Sequence, residues 1–201
     1  LVSIYFISKL SYEGEATIAK PKIADVIEIL KDKRFLVVYF LMFCVFFVFS
    51  GVLNILPFRV KEISSNTSEF QISLLYLGYG MGILISLNSS KIIKYFKNEL
   101  NTILFGLIFF LFITIFLVQE NIIFIFLLIF LFCVGMFTVH TVSTGLANSM
   151  KESQKSLTSG MYLSFYYLGG ALGSFLPSII YEKFGWNMVI YMFCIILLIT
   201  F

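Results

Sequence analysis

The sequence predicts an all-α integral membrane protein, folded as a bundle of six transmembrane helices. Of its 201 residues, 60% are hydrophobic and only 12% are charged, whereas a soluble domain is about half apolar and a quarter charged. The apolar residues form long runs, each near the roughly 20 residues that a helix needs to cross a bilayer. The runs do not alternate in polarity as the strands of a membrane barrel do. We therefore expect helices, which satisfy their own backbone hydrogen bonds in lipid.

The segment before the first long run is predicted to hold a short surface helix. Residues 1–8 are apolar but too short to span, and residues 9–34 are polar, with six basic side chains. After Pro21, Ile23 and its apolar successors recur at steps of three and four, the period of an amphipathic helix. Such a helix lies along a membrane surface with its lysines in water. Because the chain lacks a first Met and stops at Phe201 inside an apolar run, we expect a sequence cut at both ends.

The six predicted spans are joined by short loops, so neighbouring helices are expected to run antiparallel. The spans are residues 35–57, 70–89, 100–118, 122–148, 157–181 and 187–201. The loops before the first span, after the second and after the fourth hold six, three and two basic residues, whereas the alternate loops hold two, none and one. Lysine and arginine concentrate on the cytoplasmic side of membrane proteins. Eleven against three predicts that the amino-terminal stretch is cytoplasmic.

Two spans carry glycines at the four-residue spacing that favours close helix packing. The second span contains Gly78 and Gly82, and the fifth contains Gly169 and Gly173. Each pair lies on one face of its helix, and paired small residues let two backbones approach. We expect these four glycines to lie in helix contacts.

The fourth span changes from fully apolar to polar along its length. His140 and Thr144 share one helical face, with Ser143 and Met136 beside it. His140 is the only histidine of the chain, and an ionisable group at membrane depth is a functional candidate by default. Histidine exchanges protons near neutral pH. We expect these four residues to face a central cavity; the alternative is a neutral ring that hydrogen-bonds a neighbouring helix.

For each of the other polar residues singled out in the spans, the sequence allows two possible roles. Ser50 and Asn54, one turn apart, either line the cavity or bond between helices. Arg59, after Pro57, contacts substrate or anchors the outer rim. Tyr166 either stacks on an aromatic substrate or packs with its polar tip satisfied.

Several segments together resemble the major facilitator superfamily, and within it the bacterial acriflavine-sensitivity and drug-efflux-like branch. The resemblance extends over residues 35–201. The residues that carry it are FTVHTVSTGLAN at 137–148, SGMYLSFYYLGG at 159–170, FGW at 184–186, LPFR at 56–59 and LYLG at 75–78.

This resemblance implies that the six spans are helices seven to twelve of a twelve-helix carrier, the carboxy-terminal half of the fold. Residues 1–8 are then the end of helix six and residues 9–34 the central cytoplasmic loop. Helices seven and ten are expected to line the cavity, and helices eight and eleven to pack across the boundary between the halves. The partners implied are the lipid bilayer, a small-molecule substrate, protons and the amino-terminal six helices.

The function implied is secondary active transport by alternating access, specifically proton-coupled efflux of small organic molecules across the inner cell membrane. One motif departs from the family. In the loop after the second span, Lys94 stands where the superfamily has Asp and Lys97 where it has Gly. This departure argues against a charge-pair gating role for the loop.

Two other interpretations compete with that of a carrier. An intramembrane serine protease needs an activated serine with a histidine base, but its Gly-x-Ser-Gly signature is absent, and residues 157–160 read Leu-Thr-Ser-Gly. We therefore expect no catalytic residues and no enzyme. The second rival is a non-functional fragment of a disrupted transporter gene.

Overall fold

The computed structural model describes residues 22–201, and throughout this range the regular structure is helical. The prediction of an all-α bundle of apolar helices is confirmed for the described residues. The predicted end of a preceding helix at residues 1–8, and residues 9–21 of the polar stretch, lie outside them.

The first two helices meet at a single capping residue. Helix α1 covers Ile23–Lys31 and helix α2 covers Lys33–Ile63. Between them, the carboxylate of Asp32 accepts hydrogen bonds from the backbone N–H of Arg34 at 2.9 Å and from its guanidinium at 2.8 Å. These side-chain and backbone hydrogen bonds hold the pKa of the Asp32 carboxyl below its ordinary value.

Helix α1 is held against the bundle by one apolar and one charged contact. Ile29 is buried, and the Glu28 carboxylate accepts from the Lys151 ammonium at 2.8 Å. The opposite side of α1 is open, since Ile23 is exposed. The helix thus joins the loop after the fourth predicted span at the same end of the bundle.

The second predicted span is broken into three pieces. Helix α3 covers Glu69–Leu74 and is capped by Ser68, a 3₁₀ segment follows at Leu75–Tyr79, and helix α4 covers Gly80–Tyr95. Only 17% of the most apolar stretch of this span is buried, whereas 67% of the corresponding stretch of α2 is buried. Helix α2 is therefore the centre of the bundle, and the broken span lies at its outside.

Helices α5 and α6, at Glu99–Phe116 and Ile122–Ser149, are separate rods with ordinary caps. After a 3₁₀ turn at Glu152–Gln154, helix α7 covers Lys155–Leu198, although Gly185 within it has φ +75° and ψ −179°. A methyl group at Gly51 of α2 would touch both the Gly173 carbonyl and the Phe193 ring. The chain after Gly185 must therefore run back beside the chain before it, so α7 makes two passes.

Five helical segments of the described range are long and apolar enough to cross a membrane, counting the broken span and α7 once each. The fifth predicted span and residues 187–198 of the sixth fall within α7. The core joins the helices through aromatic stacking: the Phe132 ring of α6 lies 4.4 Å from Phe110 of α5 and 5.5 Å from Phe49 of α2, between centroids.

The four glycines singled out from the sequence lie against helices of this same chain. A methyl group at Gly169 or Gly173 would overlap the backbone of Phe43 or Phe47 on α2. Gly78 lies against Ile129 and Cys133 of α6, and Gly82 against Phe137 of the same helix. These glycine faces are thus filled within the bundle, whereas the resemblance implies that their two helices pack across a boundary with another half.

Candidate functional site

A polar seam runs between α6 and the first pass of α7, and His140 is at its centre. The His140 Nδ1 atom lies 3.0 Å from the Tyr162 hydroxyl oxygen, and the same hydroxyl lies 3.2 Å from the His140 carbonyl oxygen. Thr144 Oγ1 also donates to that carbonyl, at 2.7 Å. Tyr162 is buried and His140 half-buried. The sole histidine is therefore anchored by a neutral hydrogen-bonding partner on the neighbouring helix.

The seam continues towards the helix ends. Ser159 Oγ donates to the Asn148 side-chain oxygen at 2.5 Å, and Tyr39 of α2 donates to the Thr158 carbonyl at 3.0 Å. Asn148 is two helical turns from His140 on the same face. Hydrogen-bonding side chains therefore extend from His140 to the end of α6 that lies near Lys151.

Aromatic rings cover the other side of the histidine. The Tyr166 ring lies 4.7 Å from the His140 ring, and on α2 the Phe46 ring stacks on Tyr166 at 3.7 Å with 11° between planes. Tyr166 also meets Tyr167 edge-on at 5.1 Å. Phe46 and Tyr166 are half-buried, and 63% of Tyr167 is exposed. This arrangement, which we name the His140 patch (Phe46, His140, Thr144, Tyr162 and Tyr166), combines a titratable ring with apolar faces.

Two of the residues predicted to face the cavity with His140 are buried instead. Met136 and Ser143 are fully buried among the helices of this chain. The Ser143 hydroxyl makes no hydrogen bond with any described residue, although a buried hydroxyl normally has a partner. The structure thus brings together His140, Thr144 and Tyr166 at a partly open surface, and it places Met136 and Ser143 behind them.

Ser50 and Asn54 join α2 to α7. Ser50 Oγ donates to the Gly170 carbonyl at 3.0 Å and lies 2.5 Å from Ser174 Oγ. Asn54 Nδ2 donates to the Ser174 carbonyl at 2.6 Å. Both polar side chains therefore have interhelical partners, and Asn54 remains exposed on its outer side.

Arg59 lies at the opposite end of the bundle from Lys151 and is held by two carboxylates. Its guanidinium donates to Glu62 at 3.2 Å and to Glu120, in the α5–α6 loop, at 2.9 Å. The Arg59 side chain is only 14% exposed. Nearby, Trp186 Nε1 donates to the Leu117 carbonyl at 2.7 Å. These contacts tie the helix ends together, and they leave Arg59 far from His140.

Other potential sites in the described part of the chain do not compete with the His140 patch. No group of three metal-binding side chains occurs among the described residues. A depression of about 510 Å³ is lined by the α2–α3 loop, by α3 and by the start of α6, including Phe126. Phe126 is about 21 Å along the helix from His140 at 1.5 Å per residue. The depression is thus separate from the His140 patch, and the titratable histidine lies in the patch.

The sequence did not identify every member of the site. Tyr162 was one of several nearby tyrosines, and only its hydroxyl reaches His140. Phe46 had no polar signal at all, being one phenylalanine in the apolar run of α2. The four-residue spacing of Tyr162 and Tyr166 was the available clue, because it places both on one helix face.

A family model described as Major Facilitator Superfamily matches residues 38–201. No curated protein matches the chain.

Proposed function

The chain belongs to the Major Facilitator Superfamily, and on this premise we propose that it is the carboxy-terminal half of a carrier that exports small organic molecules in exchange for protons. Membership makes it a multi-pass membrane protein of a transporter family. Carriers of this kind bind their cargo between two repeats that rock against each other around a central site. In the proposal, α2 to α7 are one repeat and the His140 patch is its contribution to that site.

The proposal of proton coupling rests on the position of His140. Every Asp and Glu of the described residues lies in a loop or near a helix end, such as Glu62 or Glu182. His140 lies well inside α6, nine residues before the last residue of that helix, Ser149. Ionisable groups at membrane depth are costly and mark ion or proton routes. Within the described helices, His140 is therefore the group best placed to exchange a proton.

The chemistry of the patch supports a small organic cargo. Phe46 and Tyr166 supply ring faces beside the His140 imidazole, a combination of apolar walls and few polar groups that is usual in ligand sites. No charged side chain of the described residues forms an ion pair within the patch. Such a surface suits uncharged or weakly basic molecules better than carboxylates.

The test is the pH dependence of transport in the full-length carrier. His140→Ala should weaken the uptake of fluorescent aromatic dyes into inverted vesicles, where export runs inwards, or flatten its dependence on the pH gradient. Thr138→Val is the matched control, because that hydroxyl, on the same helix, bonds only to the Val134 carbonyl of its own turn. An unchanged rate and pH profile for His140→Ala would reduce the histidine to a structural residue.

The orientation proposed for the protein places α1 and Lys151 in the cytoplasm and Arg59 outside, in the inner cell membrane. It rests on the excess of basic residues at the α1 end. The ion pair between Glu28 and Lys151 is consistent with it, since it joins two segments assigned to the same side.

A further inference from the structure

The hydrogen bonds around His140 restrict where its ring hydrogen can be. The Tyr162 hydroxyl has a single hydrogen, yet its oxygen lies within bonding distance of two atoms of His140, Nδ1 at 3.0 Å and the carbonyl oxygen at 3.2 Å. A carbonyl only accepts, whereas a neutral imidazole carries one N–H and one bare nitrogen.

Only one arrangement of hydrogens makes both contacts favourable. If the hydroxyl donated to Nδ1, two oxygens without a hydrogen between them would face each other at 3.2 Å inside the bundle, where the repulsion between their partial negative charges is weakly screened. If Nδ1–H donates to the hydroxyl and the hydroxyl donates to the carbonyl, each contact has one hydrogen. Thr144 donates to the same carbonyl and shares it with the helical backbone N–H, as Ser and Thr side chains do when they bond to the carbonyl four residues back.

We infer that Tyr162 is a positioning residue that fixes neutral His140 with its hydrogen on Nδ1, so that Nε2 is the atom at which this site takes up a proton. The Nε2 atom makes no hydrogen bond with the described residues and is not among their buried, unpartnered atoms, so it reaches an accessible surface. The inference rests on the proposed function for the meaning of proton uptake, but the tautomer itself does not depend on transport.

The surroundings of the ring favour this assignment. The titratable side chains in contact with His140 are Tyr162 and Tyr166, both on α7, and no acid or base of the described range forms an ion pair with it. A carboxylate beside Nδ1 commonly sets the tautomer of functional histidines. Here a tyrosine hydroxyl backed by a main-chain carbonyl does the same without adding charge to the membrane interior.

The experiment uses the single histidine of the chain as a probe. The chain, labelled with ¹⁵N-histidine and placed in lipid nanodiscs, gives one pair of ring-nitrogen signals, and their couplings to the ring protons identify which nitrogen carries hydrogen. In free imidazole side chains the Nε2–H form predominates. We expect mainly Nδ1–H in this chain, and on acidification the Nε2 signal should change from bare to protonated.

Two variants separate positioning from packing. Tyr162→Phe keeps the ring and removes the hydroxyl, and it should return most of the population to Nε2–H. Tyr39→Phe removes a neighbouring hydroxyl that bonds to the Thr158 carbonyl instead, and it should leave the His140 pattern unchanged.

Mainly Nε2–H in the unsubstituted chain, or Nδ1–H retained in Tyr162→Phe, would overturn the inference, as would an Nε2 signal that does not respond to acid. A different outcome is possible: the ring hydrogen lies on Nδ1, but His140→Ala does not change transport by the full-length carrier. That result would support the inferred tautomer and refute only the proposed proton coupling.

Discussion

At Gly169 the backbone of α7 touches the backbone of α2, and no larger residue fits there. A methyl group would overlap the Phe43 carbonyl, whereas at Gly160, nine residues earlier in α7, it would meet nothing within 4 Å. Backbone carbonyls cannot rotate away as a side chain can, so the overlap has to push the helices apart. The contact between α2 and α7 thus depends on glycine at particular positions.

Gly169→Ala should therefore destabilise the bundle. Overpacking a close contact costs about 1–3 kcal/mol, which exceeds the roughly 0.5–1 kcal/mol that alanine gains over glycine in a helix. Gly160→Ala gains the helix preference without the overlap. Thermal unfolding of both purified variants in detergent should show a lower midpoint for Gly169→Ala only. Equal midpoints would mean that the two helices are not in backbone contact.

At the scale of single residues, the sequence predicted which positions are polar and on which face, but not what each one meets. The four-residue spacing placed His140 and Thr144 together, and the structure keeps them together. For Ser50 and Asn54 the sequence allowed either a cavity-lining role or an interhelical hydrogen bond. Their hydrogen bonds to Gly170 and Ser174 depend on the rotation of α7 about its axis, which the sequence does not specify. A helical period specifies a face but not the helix opposite, so the partner of His140 could not be predicted.

At the scale of elements, the turn at Gly185 decides whether α7 makes one pass or two. Its φ of +75° with ψ of −179° is a region open essentially to glycine alone. A methyl group there would meet no neighbouring atom. The requirement for glycine is therefore conformational rather than steric.

Gly185→Ala should cost about 1–3 kcal/mol of stability, the usual range for a residue held in such a backbone region. Gly145→Ala, near the carboxy-terminal end of α6 and equally free of neighbours, is the control without backbone strain. Thermal unfolding of both variants, with protease digestion of the α7 turn, would measure the difference. If Gly185→Ala unfolded at the same temperature as Gly145→Ala, the change of chain direction at Gly185 would be in doubt.

The elements themselves were largely predictable because apolar runs of membrane length leave few alternatives. The break in the second span was not, since its apolar run continues through the 3₁₀ segment Leu75–Tyr79. The glycines there predicted packing, but their period carries no information on local unwinding. Their contact with α6 follows from the tertiary arrangement of these helices.

At the scale of the whole molecule, the asymmetry of basic residues predicts how the bundle sits in the membrane. Single cysteines placed at Lys94 and Lys151 should be shielded from an impermeant thiol reagent in intact cells, and those at Ser65 and Lys183 should react. Cys44, Cys133 and Cys194 would first be replaced, and the first two are buried in the bundle. Labelling of position 94 from outside would reverse the assignment.

The central claim is that these helices are one half of a carrier whose site lies between two halves. The His140 patch is at a partly open surface rather than enclosed by the described helices, and transport of this kind needs a second repeat to rock against the first. Proton-driven flux through liposomes that contain the purified chain, alone or co-reconstituted with the amino-terminal six-helix half that the proposal requires, tests this most directly. We predict no flux from the chain alone and flux when both are present; robust flux from the chain alone would contradict the account.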